Sequence, residues 1–214
     1  MGSVPSAWAA PPTPATASPS PTGPVGELHR QETVLLHLPI DRLALRTLPI
    51  WDLKTQQVRE PRSAEVMDDS TPVLVLHLWA TWCIPCREDF PIWRELGPRL
   101  TEQHRGRVRV FYIAMQNKSD DMAEFITQLQ GGFPGLRLYL DRDERLARSI
   151  SKGLENRELP LPLTLWIDPQ RVIRQALIGS IRNRRNEVVD STARLMRLLR
   201  HLEEHPGQSQ PPGN

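Results

Sequence analysis

Cys83 and Cys86 are the only cysteines among 214 residues. They lie three positions apart in Trp79-Ala80-Thr81-Trp82-Cys83-Ile84-Pro85-Cys86. The apolar run Val73-Leu74-Val75-Leu76 precedes them and a helical pattern follows, so the pair sits where a strand hands over to a helix. That placement suits reversible disulfide chemistry. A helix start offers unpaired backbone N–H groups and the positive end of the helix dipole, and both favour a thiolate on the first sulfur. The second sulfur, about one turn later, is near enough to close a disulfide. Two other uses of this spacing fit less well. Structural zinc needs four ligands. No second cysteine pair exists, and of His29, His37, His77, His104, His201 and His205 only the last two have ligand-like spacing, straddling the last helical turn and the tail. A purely structural disulfide across so short a loop would constrain the unfolded chain little.

The rest of the chain bounds what can surround this pair. Its length suits one domain with tails, and 39% hydrophobic residues suffice for a single core. A formal charge of +2 gives no electrostatic case for a nucleic-acid partner. The longest apolar stretch, Val73 to Ala80, is interrupted by His77 and falls far short of the ~20 residues of a membrane helix. Residues 1–26 are rich in Pro, Ala, Ser and Thr and read as a disordered tether. Residues 27–42 read as a linker, 43–204 as the folded domain and 205–214 as a flexible tail. Met1-Gly2 with Ser6 fits a myristoylation pattern loosely, and Ala7-Trp8-Ala9 resembles the end of a cleaved signal peptide without the regions that precede one. The expectation is a short leader where an export signal or membrane anchor has been removed.

Periodicity supplies the elements that must hold the cysteines. Leu48, Ile50, Trp51, Leu53 and Val58 suggest a β-hairpin ahead of the main fold. Val73–Ala80 reads as a buried strand. Pro85–Arg105 reads as a helix with Phe90, Trp93, Leu96 and Leu100 on its apolar face, kinked at Pro91 and ended by Gly106. A strand at Val108, Val110 and Tyr112 follows. Next comes a helix capped by Ser119 or Asp120 and carrying Met122, Phe125, Ile126 and Leu129. A strand at Leu136–Leu140 and a short helix at Glu144–Ile150 come next. Leu163–Ile167 and Val172–Ile178 read as paired strands joined by Asp168-Pro169-Gln170-Arg171. A last helix spans roughly Glu187–Glu204. The order predicts an α/β fold, a mixed central sheet with helices on both faces.

These residues together resemble the TlpA/ResA-like group of thioredoxin-fold proteins, the extracytoplasmic thiol–disulfide oxidoreductases. The resemblance rests on Val75 through Arg87, on Asp89-Phe90-Pro91, on Pro162-Leu163-Thr164-Leu165-Trp166-Ile167-Asp168 and on Val172–Gly179. It covers roughly Leu43 to Glu204. It implies a redox-active Cys83–Cys86 disulfide and no other cofactor or metal. Cys83 is then the nucleophile and Cys86 resolves the mixed disulfide. Pro85, with Ile84, would tune how many N–H groups face the Cys83 sulfur. Trp82 would offer an apolar landing surface. Pro162 is the candidate cis-proline, with Pro160 as its rival, and the Leu161 backbone would pair with substrate like an added strand. The implied partners are exported proteins exchanging thiols and disulfides, and an upstream redox protein. The implied direction is reduction, as in cytochrome c maturation. A disulfide oxidant or isomerase is the alternative, as is a copper(I) carrier using Cys83, Cys86 and His77.

Two departures mark the chain. His77 stands where relatives carry Asn, Asp or Glu, and Lys152–Leu161 is longer and more polar than usual. His77 reads equally as a proton shuttle for Cys86 or as a core residue satisfied by a backbone carbonyl. Arg182, Arg184 and Arg185 read as a solvated loop, with an acidic docking partner as the alternative.

Overall fold

A computed structural model describes residues 32–62, 65, 73–115, 119–128, 137–154, 158–181 and 200. The expected tether 1–26, the tail 205–214, nearly all of the expected last helix, and Arg182, Arg184 and Arg185 lie outside these residues.

The strand that delivers the cysteines, β3 (Val73–Trp79), is buried at every position. Its near-continuous Val/Leu composition suits a strand covered on both faces. It pairs in parallel with β4 (Val108–Met115) and antiparallel with β6 (Leu163–Ile167). β4 continues in parallel to β5 (Leu138–Asp141), and β6 turns back antiparallel into β7 (Ile173–Ile178). The hairpin expected ahead of the main fold, β1 (Ile50–Asp52) and β2 (Gln57–Arg59), joins the sheet. β1 pairs antiparallel with β5, Ile50 against Tyr139, so the hairpin extends the sheet edge. The sheet has seven strands in the order β2-β1-β5-β4-β3-β6-β7.

Four helices can be followed from end to end among the described residues, α1 (Arg42–Arg46), α2 (Ile84–Gln103), α3 (Ser119–Gln128) and α4 (Arg145–Ser151), and residues 32–35 are helical as well. Alternation along β3 divides the core. Val73, Val75 and Trp79 face a cluster shared with α2 (Phe90, Trp93, Leu100) and α3 (Met122, Phe125). Leu74, Leu76 and Leu78 face the opposite cluster, which holds Ala44 and Leu45 of α1 and Leu146 and Ile150 of α4. This period-two split puts helices on both faces.

The expected linker 27–42 is corrected by the packing. From residue 32 onward it belongs to the folded unit, because Leu35 and Ile40 are buried in the second cluster. The segment lies along the outer edge of β7. The His37 N–H donates to the Ile173 carbonyl, Ile173 N–H donates to Leu38, and Ile40 N–H donates to Arg171. An edge strand is thereby covered rather than left to pair with another chain.

α2 approaches β4 closely at Gly97. A Cβ there would collide with the Tyr112 hydroxyl oxygen, and that hydroxyl is held by donating to the Trp93 carbonyl at 2.8 Å. Gly97→Ala should therefore cost about 1–3 kcal/mol of stability by urea unfolding. The same change in a Tyr112→Phe background should cost clearly less, because the clashing atom is gone. Equal costs in both backgrounds would contradict the contact.

Candidate active site

The cysteines are placed by the junction of β3 and α2. Cys83 N-caps α2, with an extended backbone (φ −85°, ψ 104°), and its sulfur accepts the Cys86 backbone N–H at 3.3 Å. A sulfur here does what Ser or Asp does at an ordinary cap, and it occupies the positive end of a twenty-residue helix. Pro85 falls in the first turn, where its missing N–H has no intrahelical partner to lose. Cys83 and Cys86 are joined as a disulfide with Cα atoms 5.3 Å apart.

The two sulfurs sit in different surroundings. Cys86 is fully buried and Cys83 is 5% exposed, while its neighbours Trp82 and Ile84 are 60% and 69% exposed. The redox pair therefore lies at the rim of the core between two projecting apolar side chains. An open cavity of about 300 Å3, lined by Ile84, Arg87, Glu88, Phe125 and Gln128, lies on the α3 side. Trp79 is fully buried and stacks near Phe90 and Phe125, with ring centroids 4.7 and 4.9 Å away.

The opposite wall comes from β6, β7 and the turn after it. The Leu161–Pro162 peptide bond is cis. The Pro162 carbonyl accepts the Gly179 N–H at 2.8 Å, and Leu161 packs against the cluster that contains both cysteines. Gly179 has φ +96°, a conformation that would strain any side-chain-bearing residue. Beyond it, buried Asp89 of α2 accepts from the Ser180 hydroxyl at 2.5 Å and the Ile181 N–H at 2.7 Å. Asp89 belongs to a motif visible in the sequence, but nothing local announces its partners 91 and 92 residues away.

His77 is 1% exposed. Its Nδ1 lies 3.1 Å from the Thr164 hydroxyl on the neighbouring strand, and its ring lies 4.7 Å from that of Trp93. Its Nε2 is buried without a hydrogen-bond partner among the described residues. Burial alone pushes the imidazole down to about 3, so it is neutral at physiological pH. His77 thus sits as a buried, neutral side chain against Thr164 and Trp93. The copper(I) arrangement would require His77 to join both sulfurs, and its contacts are instead with Thr164, Trp93 and Tyr112.

A family model described as the AhpC/TSA family matches residues 46–176. A thiol-disulfide oxidoreductase ResA from Bacillus thuringiensis (strain Al Hakam) is 27% identical over 122 residues, 56% of this chain and 62% of that protein. The chain thus spans about three fifths of the length of the curated relatives it matches. Among solved structures, the AhpC of Enterococcus faecalis aligns with a TM-score of 0.55 at 11% identity, covering 82% of this chain and 100% of that one. A thiol:disulfide interchange protein from Chlorobium tepidum TLS aligns at 0.50 and 16% identity, covering 76% and 94%. At these identities the structures show a shared thioredoxin-like fold.

Because the folded protein holds His77 neutral and the unfolded chain does not, acid should destabilise the fold through this residue. The unfolded imidazole takes its proton below about pH 6.5 and the native one only near 3, so stability falls as pH drops through that window, by about 1.4 kcal/mol per pH unit. Urea unfolding from pH 7 to pH 4 should therefore show a shallower acid loss in His77→Asn than in the parent. Parallel curves would contradict the buried neutral imidazole.

Proposed function

This chain belongs to the AhpC/TSA family, and on that premise we propose that it reduces disulfides of exported proteins through Cys83 and Cys86. The observation that carries the reading is the N-cap position of Cys83, whose sulfur accepts a backbone N–H while exposed Trp82 and Ile84 flank it. In the reduced protein the Cys83 thiolate attacks one sulfur of a client disulfide. A mixed disulfide forms and the client's other sulfur leaves as a thiolate, which takes a proton. Cys86, once deprotonated, attacks the Cys83 sulfur, releases the client's second thiol and closes Cys83–Cys86. Two electrons pass to the client. An upstream dithiol protein then restores the cysteines by the same exchange in reverse roles.

The client is a polypeptide on this reading. Trp82 and Ile84 present apolar surface at the reacting sulfur. The Leu161 backbone takes part in no backbone hydrogen bond among the described residues, leaving it open to an extended segment laid alongside. The exported compartment and the reductive direction, with apocytochrome c as one client, rest on the resemblance to the TlpA/ResA-like proteins. Among the described residues no helix is long and apolar enough to cross a membrane.

Cys83→Ser should abolish dithiol-dependent insulin reduction, whereas Cys86→Ser should accumulate a mixed disulfide visible by mass spectrometry. Turnover by Cys83→Ser at the parental rate would refute the nucleophile. Equilibration with a dithiothreitol series should give a potential near the about −270 mV typical of a reducing Cys-x-x-Cys protein. A value near about −120 mV would instead make it an oxidant.

A further inference from the structure

The turn that leaves β7 is gripped from three directions. The Ile178 N–H donates to the Glu32 carboxylate at 2.9 Å. The Gly179 N–H donates to the Pro162 carbonyl at 2.8 Å. The Ser180 hydroxyl and the Ile181 N–H both donate to Asp89. Two carboxylates, one on the segment along β7 and one on the helix that carries the cysteines, thus hold three of these four consecutive residues, and the Pro162 carbonyl holds the fourth. A carboxylate acceptor makes each bond stronger than a neutral one.

The arrangement matters because of what the turn adjoins. Ile178 pairs with Leu163, the residue after Pro162. Ile181 belongs to the same buried cluster as Cys83 and Cys86. Displacing the turn would therefore shift the Pro162 carbonyl and the wall of the groove beside the disulfide. Asp89 is fully buried and its removal would disturb the core. Glu32 is only half-buried and is joined to the turn from outside the sheet, so it can be altered without opening the interior.

We propose that Glu32 is a positioning residue for polypeptide clients: by fixing Ile178 it sets, together with Asp89, the place of the turn 178–181 and, through the bond from Gly179 to Pro162, of the Leu161 backbone along which a client lies. This rests on the reading of Cys83 and Cys86 as a disulfide-exchange pair. A small disulfide needs only the sulfurs and does not touch this wall. Glu32 should therefore matter for a protein substrate and be nearly silent for a small one. Glutamine keeps an acceptor oxygen and should restore most of the bond, whereas alanine removes it.

The test compares the parent, Glu32→Ala and Glu32→Gln with two substrates, insulin and hydroxyethyl disulfide, alongside amide hydrogen exchange of the whole protein. Glu32→Ala should raise the insulin KM about fivefold or more with kcat little changed. It should leave hydroxyethyl disulfide kcat/KM within about twofold and speed exchange at Ile178 and Gly179 about tenfold with β3 unchanged. Glu32→Gln should return all three toward parental values. An unchanged insulin KM, an equal loss on both substrates, or unchanged exchange at Ile178 in Glu32→Ala would overturn the proposal. If the parent reduces neither disulfide, the exchange reading fails by itself, and amide exchange still decides whether Glu32 holds the turn.

Discussion

A sulfur at the first cap of a helix, held against the backbone N–H three residues on, is the interaction on which the rest of the molecule depends. The bond at 3.3 Å needs Cys83 in an extended conformation while Ile84 is already helical. That sharp change is sustained because both sides of it are anchored. β3 is buried at every position between β4 and β6. α2 is pinned through Phe90, Trp93 and Leu100, and by the approach of Tyr112 to Gly97. With both elements held in the core, the sulfur is presented at the helix start.

The same rigidity accounts for the asymmetry of the pair. The helix carries Cys86 inward to full burial, where desolvation disfavours a thiolate, and leaves Cys83 at the rim with the helix start beside it. Around this asymmetric pair the polar groups serve support. Asp89 reaches back from α2 to hold Ser180 and Ile181. Thr164 meets His77 across the β3–β6 pairing, in which the two residues are direct partners. Asp168 forms a buried ion pair with Arg174 at 2.6 Å where β6 turns into β7. Buried charges and imidazoles are costly unless satisfied, and apart from His77 Nε2 these are placed to satisfy each other.

The features legible in the sequence were those written in short windows. The Cys83–Cys86 spacing, the β3 run, the α2 periodicity and the β6–β7 turn each lie within one stretch of at most 20 residues, and each appears in the fold close to its expected bounds. Long-range pairing was not legible. Nothing in Ile50–Asp52 states that it will pair with β5 nearly 90 residues later, so the hairpin read only as an extension ahead of the main fold. Residues 32–40 carry apolar side chains at Val34, Leu35, Leu36, Leu38 and Ile40, but their hold on β7 is mostly through backbone groups, which leave no trace in residue type. Position 77 could be seen to be polar within a buried strand, but its role depended on Trp93 and Thr164, which only the folded chain brings beside it. The sequence around Asp89 marked it as part of a motif without revealing that it acts on the turn after β7.

The account stands or falls on the ionisation of Cys83. In the fully reduced protein, absorbance near 240 nm combined with pH-dependent alkylation and peptide mapping assigns a titration to each thiol. The helix cap should bring Cys83 to ionise at least one pH unit below the ~8.5 of an ordinary cysteine, with Cys86 ionising well above it. A Cys83 that titrates at or above ~8.5, or a Cys86 that ionises first, would contradict the claim that the start of α2 creates the nucleophile.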